Sequence, residues 1–173
     1  MSGAGAGPGV PVELCAFAAG DEEYLVDLRR VREIVPAAPV TPVPRAPEFV
    51  EGVVRLRGRV VPVVDVRKRL GVAPRAEGRQ ARFLVVEVAR QTVALLVDAV
   101  VEVVRIPRAE LEPTTGLSGA GGPRVFLGVC RSAGSRRGTG RLRLLLNVKG
   151  LLEPSAPGAA AAERLRARGA GTP

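Results

Sequence analysis

One stretch, Gly52-Val-Val-Arg-Leu-Arg-Gly58-Arg-Val-Val-Pro-Val-Val-Asp65, narrows what this chain can fold into more than any other. Two runs of β-branched residues stand either side of one glycine. Val53 to Leu56 reads as a strand and Val60 to Val66 as its partner. Gly58-Arg59 leaves room only for a tight hairpin turn, where glycine takes a positive φ at low cost. Val63 and Val64 are both apolar, whereas a strand solvated on one face would alternate, so this strand is expected to be covered on both faces. Arg55, Arg57, Arg59, Arg67, Lys68 and Arg69 stand around it, with Asp65 the only acid. The stretch reads as a rigid apolar hairpin with a charged rim, shaped by Gly58, Pro62 and Asp65.

The remaining pattern is of short strands and little helix. Residues 1–11 read as a disordered Gly/Ala/Pro tail. Val12 to Ala19 and Tyr24 to Leu28 read as a hairpin across Gly20-Asp21-Glu22-Glu23, and Val31 to Val35 as a short helical turn. Pro36, Pro39, Pro42, Pro44 and Pro47 exclude regular helix and central strand, which leaves an extended surface loop. Val66 to Gly71 reads as one helical turn stopped by glycine, and residues 73–81 as a polar loop. Phe83 to Val88 and Thr92 to Val97 form another hairpin across Ala89-Arg90-Gln91. Val100 to Ile106 is a strand, and Pro107 to Pro123 is loop. Arg124 to Cys130 and Leu142 to Val148 are the last strands, joined by a basic loop at 131–141. The alternating set Leu142, Leu144, Leu146 and Val148 is expected on one buried face. Leu151-Leu152 begins a terminal helix or tail, and residues 153–173 are a low-complexity tail.

A weak repeat runs through this pattern. Leu25-Val-Asp27, Val31, Glu33 and Ile34 resemble Leu96-Val-Asp98, Val100, Glu102 and Val103 across a two-residue gap. Phe49-Val-Glu-Gly52-Val53 resembles Phe126-Leu-Gly128-Val129. Asp65-Val66 with Leu70 resembles Asn147-Val148 with Leu152. Three matches in one order argue for duplication of a strand-rich unit, giving two similar small barrels on a shared core. The length of 173 residues allows this. With aromatics at 3%, Val and Leu must build that core.

The chemistry open to the chain is narrow. It has no histidine, which removes the commonest general base, proton shuttle and metal ligand, and any phosphohistidine. There is no P-loop. Asp27, Asp65 and Asp98 each end an apolar run and read as turn or cap residues. Cys15 and Cys130 lie in apolar stretches, as small buried hydrophobes in a reducing compartment. No enzyme, cofactor or metal site is expected. No signal-peptide pattern and no membrane-length apolar run occur, so a cytoplasmic protein without membrane insertion is expected. The net charge of +9 leaves a basic β-barrel binding nucleic acid or another polyanion as an alternative. Such sites interleave aromatics with cations. Here Phe17, Tyr24, Phe49, Phe83 and Phe126 all fall in strand patterns or beside the proline loop, so nucleic acid is not expected as a partner.

What remains is a rigid non-catalytic surface, and on this point a resemblance enters. Tyr24-Leu-Val-Asp27, Val31-Arg-Glu33-Ile34, Pro44-x-Ala-Pro47-x-Phe49-Val-x-Gly52-Val53, Leu56-Arg57-Gly58, Val61-Pro62-Val63-Val64-Asp65-Val66-Arg67, Leu95-Leu-Val97-Asp98-x-Val100 and Phe126-x-Gly128-Val129 stand in the order and spacing of the CheW-like family. The chain resembles the stand-alone chemotaxis coupling protein over residues 12–152. The resemblance implies an all-β fold of two five-stranded SH3-like barrel subdomains, interleaved around a shared hydrophobic core, with short helical turns. It implies an adaptor linking chemoreceptors to the regulatory domain of a CheA-type histidine kinase, recruited to membrane-bound receptor arrays that hold other CheW-like domains. Carried over by position, Val31, Glu33, Gly52 and Arg57 fall where the family makes receptor and kinase contact. Each also has a structural reading: packing for Val31, backbone freedom for Gly52, and an internal pair with Glu33 or Asp65 for Arg57. Residue 55 is Arg where the family commonly has Asn, and Asn147 replaces a usual Asp.

Overall fold

A computed structural model describes residues 9–73, 80–114, 125–131 and 141–153 of the chain. Both expected tails lie largely outside those residues, as do most of the 73–81 and 131–141 loops and the second half of the 107–123 loop. The elements in order are β1 (Val12–Ala19), β2 (Glu22–Asp27), β3 (Val31–Pro36), β4 (Val50–Leu56), β5 (Arg59–Asp65), α1 (Val66–Leu70), β6 (Arg82–Val88), β7 (Gln91–Val97), β8 (Ala99–Ile106), β9 (Leu111–Pro113), β10 (Phe126–Arg131), β11 (Leu142–Leu146) and α2 (Val148–Leu152). They form a five-stranded sheet ordered β3-β6-β7-β5-β4 and a second sheet ordered β8-β1-β2-β11-β10, to which the short β9 adds a sixth edge strand. The all-β fold of two strand-built subdomains is as expected.

Both sheets repeat one plan. Each has a parallel contact, β5 with β7 and β11 with β2. Each first strand carries a bulge, between Val31 and Glu33 in β3 and opposite Ala16/Phe17 in β8. Each following hairpin shifts register at its glycine, Gly52 in β4 and Gly128 in β10. Each ends in a five-residue helix, α1 or α2. The sequence repeat is therefore a structural one. The two units also exchange hairpins: β1–β2 joins the sheet of β8, β10 and β11, while β6–β7 joins that of β3, β4 and β5.

That exchange builds the core. Cys15, Phe17, Tyr24 and Val26 of one hairpin meet Leu84, Val86, Val93 and Leu95 of the other in a shared apolar cluster. Val54, Val61, Val63, Phe83, Val85 and Ala94 fill the interior of the five-stranded subdomain. Leu14, Ala16, Leu25, Ile106 and Cys130 fill the other. Val64 belongs to the shared cluster and Val63 to the interior one, so β5 is covered on both faces only in its second half; in the first half Val60 and Pro62 are exposed, a correction to the expectation for the whole strand. Complete burial of such a side chain contributes about 1.5–3 kcal/mol.

Four local readings need correction. Val31–Val35 is strand, not helical turn. The single turn of 3₁₀ helix comes earlier, at Leu28–Arg30, where Asp27 accepts the Arg29 N–H. From Val31 the half-buried Val31, Glu33 and Val35 alternate with exposed Arg32, Ile34 and Pro36, and this period of two decides the element. The turn of the central hairpin is Arg57-Gly58, one residue earlier than expected, with φ 48° and 77°. Pro107–Pro123 is not all loop: it holds a 3₁₀ turn at Arg108–Glu110 and β9. The last strand stops at Leu146, because the Asn147 N–H donates to Val125 O and turns the chain into α2. Within it, Leu142 is 49% exposed while Arg143 is buried. Arg143 tolerates burial because its Nη2 meets Glu23 at 2.7 Å and Glu102 at 2.9 Å.

Candidate partner-binding site

The sequence-predicted positions divide into one pair and two separate places. Glu33 on β3 accepts a hydrogen bond from Arg57 Nε at 3.0 Å. β3 and β4 are the two edges of their sheet. The pair therefore joins one edge strand to the hairpin tip at the other, where no backbone ladder does so. The Arg57 side chain is 81% exposed, so the pair sits on the surface. Asp65 is not its partner. It caps α1, accepting from the N–H groups of Arg67 at 2.8 Å and Lys68 at 3.3 Å, and its carboxylate faces the Arg67 guanidinium. Arg67 reaches on to Asp98, which accepts the Gly20 N–H at 2.6 Å. The three carboxylates read as turn and cap groups thus include two that lock α1 to the β1–β2 turn. The third, Asp27, is held below the usual carboxylate range by its hydrogen bonds from Arg29.

Val31 lies across the bulge from Glu33, half-buried and packed against the shared core. Gly52 is at the other end of β4 from Arg57. Its φ is 141°, and a Cβ there would run into the Thr41 carbonyl. Thr41 exchanges two backbone hydrogen bonds with Val53, at 2.9 and 2.8 Å, so the proline-rich strap is buttoned onto β4 at this glycine. Those bonds point the Val53 backbone away from β5, so opposite it Pro62 gives up no hydrogen bond to β4 from its missing N–H. Pro62 lies mid-strand in β5 of the hairpin, while Gly58 sits in its turn with open space around its Cα.

This geometry leaves an outward face that sequence reasoning missed. Val53 pairs with Pro62 and Arg55 with Val60, and these side chains point away from the interior pairs Val54–Val61 and Gly52–Val63. Val60 is 62% exposed. The second subdomain repeats the pairing, Val129 with Leu144 and Arg131 with Leu142, although Leu144 packs against the shared core. Registering the two hairpins on their glycines would have revealed it. Val54–Val61 has the counterpart Cys130–Arg143, so a buried arginine stands where the first hairpin has valine.

Chemically the site offers exposed aliphatic groups, a planar cation and a carboxylate on a rigid frame, suited to a protein surface. Phe17, Tyr24, Phe83 and Phe126 are buried and Phe49 packs on the shared core under the Arg69 guanidinium, 4.6 Å away, so no aromatic is placed to stack on a base. Burial pushes the Cys15 and Cys130 thiols up, the latter in spite of the nearby Arg143 charge. Among the described residues, no helix is long and apolar enough to cross a membrane.

Residues 13–155 match the family model for the CheW-like domain. The chain is 40% identical over 106 residues to the chemotaxis protein CheW of Rhizobium meliloti, covering 61% of this chain and 68% of that one. It is 30% identical over 141 residues to the chemotaxis protein CheW of Thermotoga maritima, covering 82% and 87%. In structure it resembles the scaffolding protein TtCheW of Thermoanaerobacter tengcongensis, with a TM-score of 0.71, 28% identity and coverage of 88% and 94%.

Proposed function

This chain belongs to the CheW-like domain family and is a chemotaxis coupling adaptor, and we propose that it couples by holding two partners at once, the regulatory domain of a CheA-type histidine kinase and the cytoplasmic tip of a chemoreceptor. The observation that carries this reading is the outward face of the β4–β5 hairpin, fixed by Glu33–Arg57 at its tip and by Gly52–Thr41 at its base. The kinase regulatory domain shares the fold implied for this chain, so a barrel-to-barrel contact is the natural use of a rigid hairpin face. Val31, Glu33, Gly52 and Arg57 then act together. Glu33 and Arg57 meet the partner or shape the tip that does, Val31 anchors β3 under them, and Gly52 lets the strap close. Residues 12–152 act as one unit, recruited with its partners to receptor arrays and able to meet other CheW-like domains there. The adaptor works without catalysis of its own, in keeping with a sequence that lacks histidine.

The test is a titration of the kinase regulatory domain and of the receptor tip against wild type, Arg57→Ala and Arg57→Lys, beside thermal melts. Arg57→Ala is expected to melt like wild type and to bind at least one partner more weakly. Lysine should rescue only in part, since it cannot copy a planar fork. Wild-type affinity for both partners in both variants would remove Arg57 from the site.

A further inference from the structure

The approach to β1 forms one wall of a cleft of about 730 Å³ that no residue of the β4–β5 hairpin lines. Gly9, Val10, Pro11, Val12 and Glu13 line it, facing Arg29 from the first 3₁₀ turn, Arg105 near the end of β8 and Arg108 from the second 3₁₀ turn. Two of these arginines already hold carboxylates of this chain. Arg29 grips Asp27 through Nε at 3.1 Å and Nη2 at 2.7 Å. Arg105 donates from Nε to Glu13 at 2.7 Å. Arg108 makes no hydrogen bond or ion pair among the described residues. The guanidinium-bearing side chains of Arg29 and Arg105 are 78% and 74% exposed, so these pairs add little to stability and can be exchanged.

The duplicated plan does not call for this cluster. Aligning Glu102 with Glu33 places Pro36 opposite Arg105 and Pro39 opposite Arg108, and Arg29 falls in the two-residue gap between the repeats. Three guanidinium groups from three separate elements have thus been added to one subdomain over an apolar wall, of which Val10 is 83% exposed. We propose that this cleft docks an acidic, extended segment of a partner protein. Its carboxylates take the places that Asp27 and Glu13 now fill on Arg29 and Arg105 and engage Arg108. Its aliphatic parts rest on Val10, Pro11 and Val12. A bidentate arginine fork suits carboxylates in fixed positions. A single-stranded nucleic acid would instead use aromatic stacking, and no aromatic side chain lines the cleft. The proposal does not depend on which partners the hairpin face takes.

The experiment titrates a fluorescein-labelled alternating glutamate–alanine peptide with the full chain at low salt. A lysine–alanine peptide and a single-stranded oligonucleotide serve as comparisons. Saturable binding of the acidic peptide is expected with a dissociation constant below about 100 μM. Arg105→Glu/Arg108→Glu should weaken it by at least about tenfold. Arg55→Glu/Arg59→Glu, on the β4–β5 hairpin and outside the cleft lining, should leave it unchanged. All variants should melt with the wild type; if the first pair melts early, Arg108→Gln takes its place. No saturation, equal weakening by both charge reversals, or tighter binding of the oligonucleotide would overturn the proposal.

Discussion

Arg57 and Arg143 show how differently one residue type acts at the surface and inside. With Arg57 81% exposed, its pair with Glu33 contributes about 0–1 kcal/mol, so Arg57→Ala should leave the melting temperature within a few degrees. Arg143 is 1% exposed, with Nη2 shared between Glu23 and Glu102 and with Nε and Nη1 unpartnered. Removing it strands two carboxylates, and Arg143→Val should destabilise the protein by about 3–5 kcal/mol in a urea titration. Adding Glu23→Ala and Glu102→Gln should recover most of that loss, because an apolar interior serves the other subdomain at Val61 and Ala94. Failure to recover would mean that the triad specifies the packing. The buried thiols give a pH dependence. Both are held protonated above the ordinary thiol value of about 8.5, so the unfolded chain loses these protons first. The stability they contribute is full below about pH 8.5 and falls as pH rises beyond it. The decline should be shallower in Cys15→Ala/Cys130→Ala, and an equal decline would assign it to other groups. At this scale the sequence exposed Gly58 and the Asp65 cap, since each is a local rule. It hid Arg143, because the alternation of Leu142, Leu144, Leu146 and Val148 points to those residues as the buried face and gives no sign that Arg143 is buried.

Hairpins are the elements through which this protein makes its surfaces. The β4–β5 turn takes positive φ at both Arg57 and Gly58, the geometry that matches the twist of the strands it joins. Its outward face ends at Val60, 62% exposed. Val60→Asp should therefore keep the wild-type melt while weakening binding of the kinase regulatory domain. If the β10–β11 face is a second docking surface, Leu142→Asp should weaken a different contact and not the same one. Isothermal titration of each variant distinguishes the two. Gly52→Ala belongs here too, since its cost falls on the strap as a whole: a methyl group in the path of the Thr41 carbonyl should unbutton Thr41–Val53 and lower the melting temperature clearly. Strands with strong alternation or dense β-branching are legible from sequence, as are the three hairpins β1–β2, β4–β5 and β6–β7. Val31–Val35 is not, because five residues shortly after Asp27 fit a helical turn as well as a strand. β9 is not, because three residues carry too little pattern and its pairing with β10 is long-range.

At the level of the molecule, duplication and the exchange of hairpins explain why the chain forms one body. Neither repeat can bury its own hairpin, so each completes the other's sheet and the shared cluster lies between them. Arg69 reinforces the joint from α1. It is 5% exposed and donates to the carbonyls of Leu151 at 2.5 Å and Glu153 at 2.6 Å, at the end of α2. Such a body can hold surfaces on both subdomains in fixed relation, which is what an adaptor requires. The most direct test of this account is a sedimentation titration of the purified chain with the cognate kinase regulatory domain and receptor cytoplasmic fragment, singly and together. The expected result is two binary complexes and a ternary complex containing all three, with the ternary complex reduced by Val60→Asp. Binding of neither partner up to about 100 μM, or strict competition between the two for the chain, would contradict it.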